Sequence, residues 1–470
     1  MRTSIVWFKT DLRLHDNETL VRAIEQSDEI IPVYCFDEAH FKTTEFGFKK
    51  TGNFRAQFLL ESLADLDKNL RAHNSGLIVV RGKLEIELYK LAQKYKVQKV
   101  FCKKEVAFEE KQTQILVEKE LWKLHCQLES YSTSTLYHAQ DLPFALKDIP
   151  DVFTNFRKRI EKESNIREVY CAPSSIISPN IEILKLPRIE QLGLDPVIND
   201  RRADINFVGG ETEGYKRLNS YFFETQAIST YKETRNGMIG ENYSTKFSAW
   251  LALGCLSPRE IYFELKNYEG QYSANESTYW LEFELLWRDY FRFMMKKYSN
   301  KFFQQAGIQA KTDNLHQHDP VKLSAWINGK TGVDFIDANM IELKSTGFMS
   351  NRGRQNVASF LMRDLKVNWQ MGAEYFESLL LDYDPCSNWG NWNYVAGVGS
   401  DPREDRVFNI LTQARNYDPH GDYVKHWIPE LAKVSVEKVH RPDLLSASEK
   451  NQLGMSDYPK PVVKIEKWSN

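Results

Sequence analysis

Four short stretches gather side chains that could hold a phosphate, a carbonyl or a flat ring. In ENYSTKFSAWLALGCLSPREIY, the residues Ser244, Thr245, Lys246, Phe247 and Ser248 run into an apolar helical pattern. Hydroxyls, backbone N–H groups and one ammonium at a helix start make a phosphate cradle, but they equally make an ordinary N-cap. In YWLEFELLWRDYFRFMM, Glu284, Arg288 and Arg292 recur at i, i+4 and i+8, so they share one face of a helix beside Trp287. That face is either an exposed charged ridge or a carboxylate and guanidinium turned into a cavity, and spacing does not separate the two. In KSTGFMSNRGRQNVASF, Gly347 and Gly353 punctuate a basic turn, and Asn351, Arg352, Arg354 and Gln355 follow at a helix start. In DYDPCSNWGNWNYVAGVG, finally, Asp382, Tyr383, Asp384 and Asn388 lie close to Trp389, Trp392 and Tyr394.

Several chemistries are excluded by what surrounds these stretches. Asp382 and Asp384 have no His or third carboxylate at ligand spacing, so no metal site is indicated. The six cysteines are scattered without a CxxC, which argues against zinc, an iron–sulfur cluster and a disulfide framework. No Ser-His-Asp arrangement stands out. The net charge is -2, from 62 Lys+Arg against 64 Asp+Glu, so attraction to nucleic acid must come from local clusters such as Arg157, Lys158 and Arg159. No run of eighteen apolar residues occurs and charge appears early at the start, so a cytoplasmic, soluble chain is expected. The unusual feature is the aromatic content, 11 Trp, 22 Tyr and 27 Phe, which suits a region built around something flat and conjugated or a large aromatic core.

The elements that must position these residues fall into two halves. SIVWF, EIIPVYCF, GLIVV and VQKVFC alternate with amphipathic stretches such as NFRAQFLLESLADLDKNLRAH, the pattern of a doubly wound parallel sheet over residues 1–130. No GxGxxG closes its first strand, so a dinucleotide is not bound there in the Rossmann manner. Residues 131–202 carry Pro143, Pro150, Pro173, Pro179, Pro187 and Pro196 and read as a long ordered connector. Residues 203–430 are helical throughout, giving an all-α second domain, and the polar stretch 431–470 reads as a peripheral tail.

VWFKTDLRLHDN, STKFS, SPRE, ELLWRDYFR, STGFMSNRGRQ, DLKVNW and HWIPEL occur in order along the chain. In that order they resemble the photolyase/cryptochrome family over nearly its whole length. TGNFRAQFLLESLADL, VFTNFRK and NWGNWNYVAGVGSDPRE are most similar to the cryptochrome DASH branch. The resemblance implies an α/β antenna domain and a helical domain holding a bent FAD. It carries the FAD phosphate and ribityl contacts onto Tyr215 and Ser244–Ser248. It places Arg354 and Asp382 against the flavin ring, with Tyr383 and Arg288 alongside. Asp384 becomes the acceptor at the ring's imide edge, and Asn388 faces its reactive central nitrogen.

The same resemblance implies light-driven repair. A reduced, photoexcited flavin would pass an electron to a cyclobutane pyrimidine dimer, with Glu284, Trp287, Asn351, Arg352 and Gln355 at the substrate. Asn351 stands where the branch repairing the six-four photoproduct has histidine, which argues against that activity. Tyr394 stands where duplex-repairing relatives carry Trp, so single-stranded DNA is the expected partner, and a monomer is expected. Trp392 and Trp369 match the inner members of the tryptophan chain that reduces the flavin; the outer member aligns near His316 and is missing. Glu109, in KKEVAFEEKQ, matches the carboxylate that holds a methenyltetrahydrofolate antenna. Two further readings stay open: a blue-light photoreceptor with little repair, and, more weakly, a dark FAD oxidoreductase.

Overall fold

The computed structural model describes residues 2–311, 319–400 and 407–468; His316 lies outside the described residues. Five parallel strands, β1 (Thr3–Phe8), β2 (Glu29–Asp37), β3 (Ile78–Gly82), β4 (Lys99–Lys103) and β5 (Gln127–Tyr131), form one sheet in the order β3-β2-β1-β4-β5. Register is fixed by pairs such as Ile5 with Ile31 on one side of β1 and Ile5 with Val100 on the other. Because side chains alternate along a strand, Ile5 and Trp7 enter one apolar cluster with Ile31 and Val33, whereas Val6 and Phe8 enter the other. Helices α1 (Glu18–Gln26), α2 (Asn53–Ala72), α3 (Leu84–Tyr95) and α4 (Phe108–Trp122) cover the sheet. The doubly wound first domain is as the periodicity predicts.

The connector is more structured than its prolines suggest. It contains α5 (Phe153–Glu163), whose Phe153 ring stacks on Trp287 with centroids 3.7 Å apart. Asp289 pins its upstream part, accepting the Leu136 and Tyr137 N–H groups, both at 2.9 Å.

The second domain is helical: α6 (Glu211–Asn219), α7 (Tyr231–Thr234), α8 (Ser248–Ala252), α9 (Pro258–Gln271), α10 (Glu276–Tyr298), α11 (Pro320–Ile327), α12 (Asp334–Thr346), α13 (Asn351–Ser359), α14 (Trp369–Leu379) and α15 (Pro385–Ala396), followed by shorter helices. The long apolar α10 runs through its centre. α10 is capped by Asn275, whose side chain accepts the Ser277 and Thr278 N–H groups. No described helix is long and apolar enough to cross a membrane.

Buried polar contacts join the domains. The fully buried Arg13 donates to the carbonyls of Gly254 (2.9 Å), Asp16 (2.8 Å) and Thr133 (2.9 Å). Asp16 in turn accepts from Arg259 Nε at 3.0 Å. Residues 431–468 correct the expectation of a peripheral tail. Leu431, Val439, Met455, Ile465 and Trp468 are buried, and His440 bridges Asp334 Oδ2 (2.6 Å) and the Asp418 carbonyl (2.7 Å). The sparse apolar residues in that polar stretch are the ones that dock.

Candidate active site

A cavity of about 540 Å³ lies within the helical domain, a volume typical of small-molecule sites. Its wall brings together Ser244–Ser248, Glu284, Trp287, Arg288, Asn351, Arg354, Gln355, Asp382, Tyr383, Asp384, Asn388, Trp392 and Tyr394. Most of the chemistry-bearing residues singled out in the sequence therefore converge, from α10, α13, α15 and the loop before α8.

The loop before α8 is held from behind. Arg217 on α6 donates to the carbonyls of Glu241, Ser244 and Thr245, each at 3.1 Å, and to the Asn242 side chain at 3.0 Å. With its carbonyls turned toward Arg217, the loop leaves other faces toward the cavity. Lys246 sits at φ 55 over the Tyr243 ring, 4.3 Å from its centroid. Burial lowers the Lys246 ammonium to about 8, against the opposing pull of Asp204 and Glu342. A helix of five residues follows, so the side chains and loop rather than a long dipole define this corner.

On α13, Ser350 caps the helix by accepting the Gly353 N–H at 3.0 Å, and Arg354 reaches Asp382 Oδ2 at 2.8 Å. The second Asp382 oxygen, Oδ1, is buried without a protein partner. A buried carboxylate oxygen left this way calls for a donor from a ligand. Asp384 caps α15 through the Ser387 N–H at 2.7 Å. Asn388 Nδ2 donates to the Ala373 carbonyl at 3.0 Å. Because a carbonyl only accepts, that contact fixes the amide's orientation and keeps its oxygen available.

Glu284 pairs with Arg235 at 2.9 Å. Burial raises its carboxyl above the usual range, outweighing Arg235. Arg235 and Tyr231, one helical turn apart, also line the cavity and were not anticipated; the polar stretch YKETRNGM gives no periodic signal that would single them out. Arg288 lines the cavity and also braces its wall, donating to the carbonyls of Ser134 and Leu251.

Three expected residues lie elsewhere. Tyr215 does not line the cavity: its ring packs edge-on against His15 at 5.5 Å and its hydroxyl bonds Glu260, because its face of α6 is turned to the first domain. Arg352 sits outside the wall, bonded to Gln355 and Asn236, both at 2.9 Å, and lying over Tyr417. Trp369 is set back from the cavity, in edge contact with Trp389 at 5.8 Å, whereas Trp392 lines the wall and packs on Phe376 at 5.2 Å.

A second cavity, of about 780 Å³, opens at the carboxyl ends of β1, β2 and β4, where strand order reverses in the sheet. Glu109 lines it in an ion pair with Lys50, alongside Trp7, Lys103, Glu105, Arg292 and Trp389. Tyr383, Asp384 and Ala252 line both cavities.

Known proteins resemble this chain in sequence and fold. The family model described as the FAD binding domain of DNA photolyase matches residues 280–470, and that described as DNA photolyase matches residues 4–174. The chain is 49% identical over 468 residues to a cryptochrome DASH of Synechocystis sp., covering 98% of this chain and 95% of that one. The crystal structure of a Synechocystis sp. cryptochrome matches with a TM-score of 0.96 at 47% identity, over 100% of this chain and 98% of that one. A bacterial class III photolyase from Agrobacterium tumefaciens matches with a TM-score of 0.85 at 26% identity, over 100% of this chain and 95% of that one.

Proposed function

Because the chain belongs to the cryptochrome DASH branch of the DNA photolyase family, we propose that it repairs cyclobutane pyrimidine dimers in single-stranded DNA, using light and an FAD held in the 540 Å³ cavity. The observation that carries this reading is Glu284. A half-buried carboxyl, raised in pKa and steadied by Arg235, faces the same space as Asn388 and Trp287.

FAD bound in this cavity supplies one-electron chemistry driven by light. The protein's part is to hold and orient. Asp382 Oδ1 offers a buried acceptor, Lys246 a charge for phosphate, and the Asn388 oxygen an acceptor that tolerates more than one protonation state of its neighbour. Glu284, when protonated, donates to a base carbonyl; when ionised, it accepts from a ring N–H. The Trp287 ring, backed by Phe153, gives a stacking surface for an unstacked base. Tyr394 meets Trp287 edge-on at 6.2 Å and offers less surface than a Trp would, which supports a preference for strands already single. The second cavity would hold a methenyltetrahydrofolate antenna, for which Glu109 would supply a carboxylate.

The test is blue-light repair of a dimer in single-stranded DNA, compared with the same lesion in duplex and with a Glu284→Ala variant. Repair of the single strand that falls in the variant supports the reading. Equal repair of intact duplex overturns the strand preference. Absence of repair in both substrates by FAD-loaded protein leaves the photoreceptor reading in its place.

A further inference from the structure

Arg292 lies on the same face of α10 as Glu284 and Arg288, yet it does not line the FAD cavity. It stands instead in the partition between the two cavities. Its Nη1 lies 3.5 Å from Asp384 Oδ2, and its Nη2 lies 3.1 Å from Glu105 Oε2. Glu105 belongs to the second cavity only and is also 3.4 Å from Lys103, whereas Asp384 belongs to both. All four side chains are buried or nearly so, Arg292 at 7% exposure. One guanidinium is thus divided between an acceptor of the first cavity and a carboxylate of the second.

The geometry points to Arg292 as a coupling residue: a ligand in the second cavity and FAD in the first slow each other's release through the line Glu105–Arg292–Asp384. The inference rests on both cavities being cofactor sites. A ring seated beside Glu105 excludes water there and strengthens the Glu105–Arg292 pair, because the same charges attract more in a drier surrounding. Arg292 held toward Glu105 leans less on Asp384, whose oxygens stay free for the FAD side. Without Glu105, the guanidinium has Asp384 as its remaining partner and covers it. Charge on both carboxylates is maintained in place: burial favours their neutral forms but is outweighed, for Asp384 by Arg292 and Arg288 and for Glu105 by Lys103 and Arg292. Coupling of affinities is reciprocal by necessity, so FAD loading must tighten the second site by the factor by which its ligand tightens the FAD site.

The experiment follows release of FAD from loaded protein in the dark, read as the rise of free-flavin fluorescence after dilution, with and without 5,10-methenyltetrahydrofolate. Glu105→Gln, which touches no residue lining only the FAD cavity, should release FAD roughly fivefold faster or more. Folate should slow release from the unaltered protein and lose that effect in Glu105→Gln and in Arg292→Lys. A general loosening of the fold would speed release without abolishing the folate dependence. Release from Glu105→Gln at the unaltered rate overturns the coupling. Should Arg292→Lys fail to fold, by circular dichroism, Glu105→Gln alone decides. Should folate fail to bind, by absorbance, the antenna reading falls, and the Glu105→Gln rate still decides the coupling.

Discussion

Each cavity carries a cation–carboxylate pair on its wall, and the two pairs differ in what surrounds them. In the helical domain, Arg354 meets an Asp382 side chain that is 1% exposed and has one oxygen unpartnered. In the α/β domain, Lys50 meets a Glu109 that is 65% exposed. The same chemical device therefore does different things. A buried pair missing one member leaves an uncompensated charge at a cost of about 3–5 kcal/mol, whereas an exposed pair is worth about 0–1 kcal/mol. At these two pairs, the first cavity leaves a buried oxygen for its ligand, whereas the second presents an exposed carboxylate.

Four measurements press on that contrast. Asp382→Asn should show the largest effect, roughly a hundredfold weaker FAD retention, read as the flavin-to-protein absorbance ratio after gel filtration. A ratio equal to the unaltered protein's would erase the distinction between the cavities. Glu284→Ala should retain FAD and lower single-strand repair by roughly tenfold, the size of a hydrogen bond to a charged group.

The third uses pH. The Lys246 ammonium is lowered to about 8 by burial, and a bound pyrophosphate would hold the proton to higher pH than the empty cavity does. FAD affinity should therefore be greatest below pH 8 and fall as pH rises above it. Lys246→Met should flatten that slope in a fluorescence titration. The smallest effect is expected for Glu109→Gln, at most about fivefold in folate binding by absorbance titration, with the flavin-to-protein ratio unmoved.

What could be read from sequence followed from how locally each feature is encoded. Strands were legible because β1, β2 and β4 carry their apolar runs in consecutive residues. Asn388, Asp382 and Asp384 lie within seven residues at α15 and its cap, but their spacing alone was ambiguous and the family resemblance supplied their expected roles. Tyr215 was misplaced because a helical tyrosine gives no sign of which neighbour its face will meet; Glu211, one turn earlier, accepts the Leu14 N–H and turns that face to the first domain. Phe153 and α5 were hidden between prolines, and the docking of 431–468 rests on a few apolar residues spaced through a polar stretch. Arg217 and Arg235 were hidden for a common reason: each acts on partners far away in the chain, and local periodicity carries no trace of them. Arg292 stood out in the i, i+4, i+8 pattern of its helix, but its distant partner Glu105 did not.

The seam around Arg13 bears on how the protein is made. Its acceptor at Gly254 lies 241 residues downstream, so at about 5–20 residues per second a ribosome needs roughly 12–50 s to supply it. Through that interval Arg13 and Asp16 have no Gly254 or Arg259 to meet, although the last strand of the sheet ends at Tyr131. The first domain is thus the earliest part to be synthesised and among the last to be completed. A chain cut short before residue 259 keeps the charges of the seam while losing their partners, and the quality of the α/β domain depends on whether the helical one arrives.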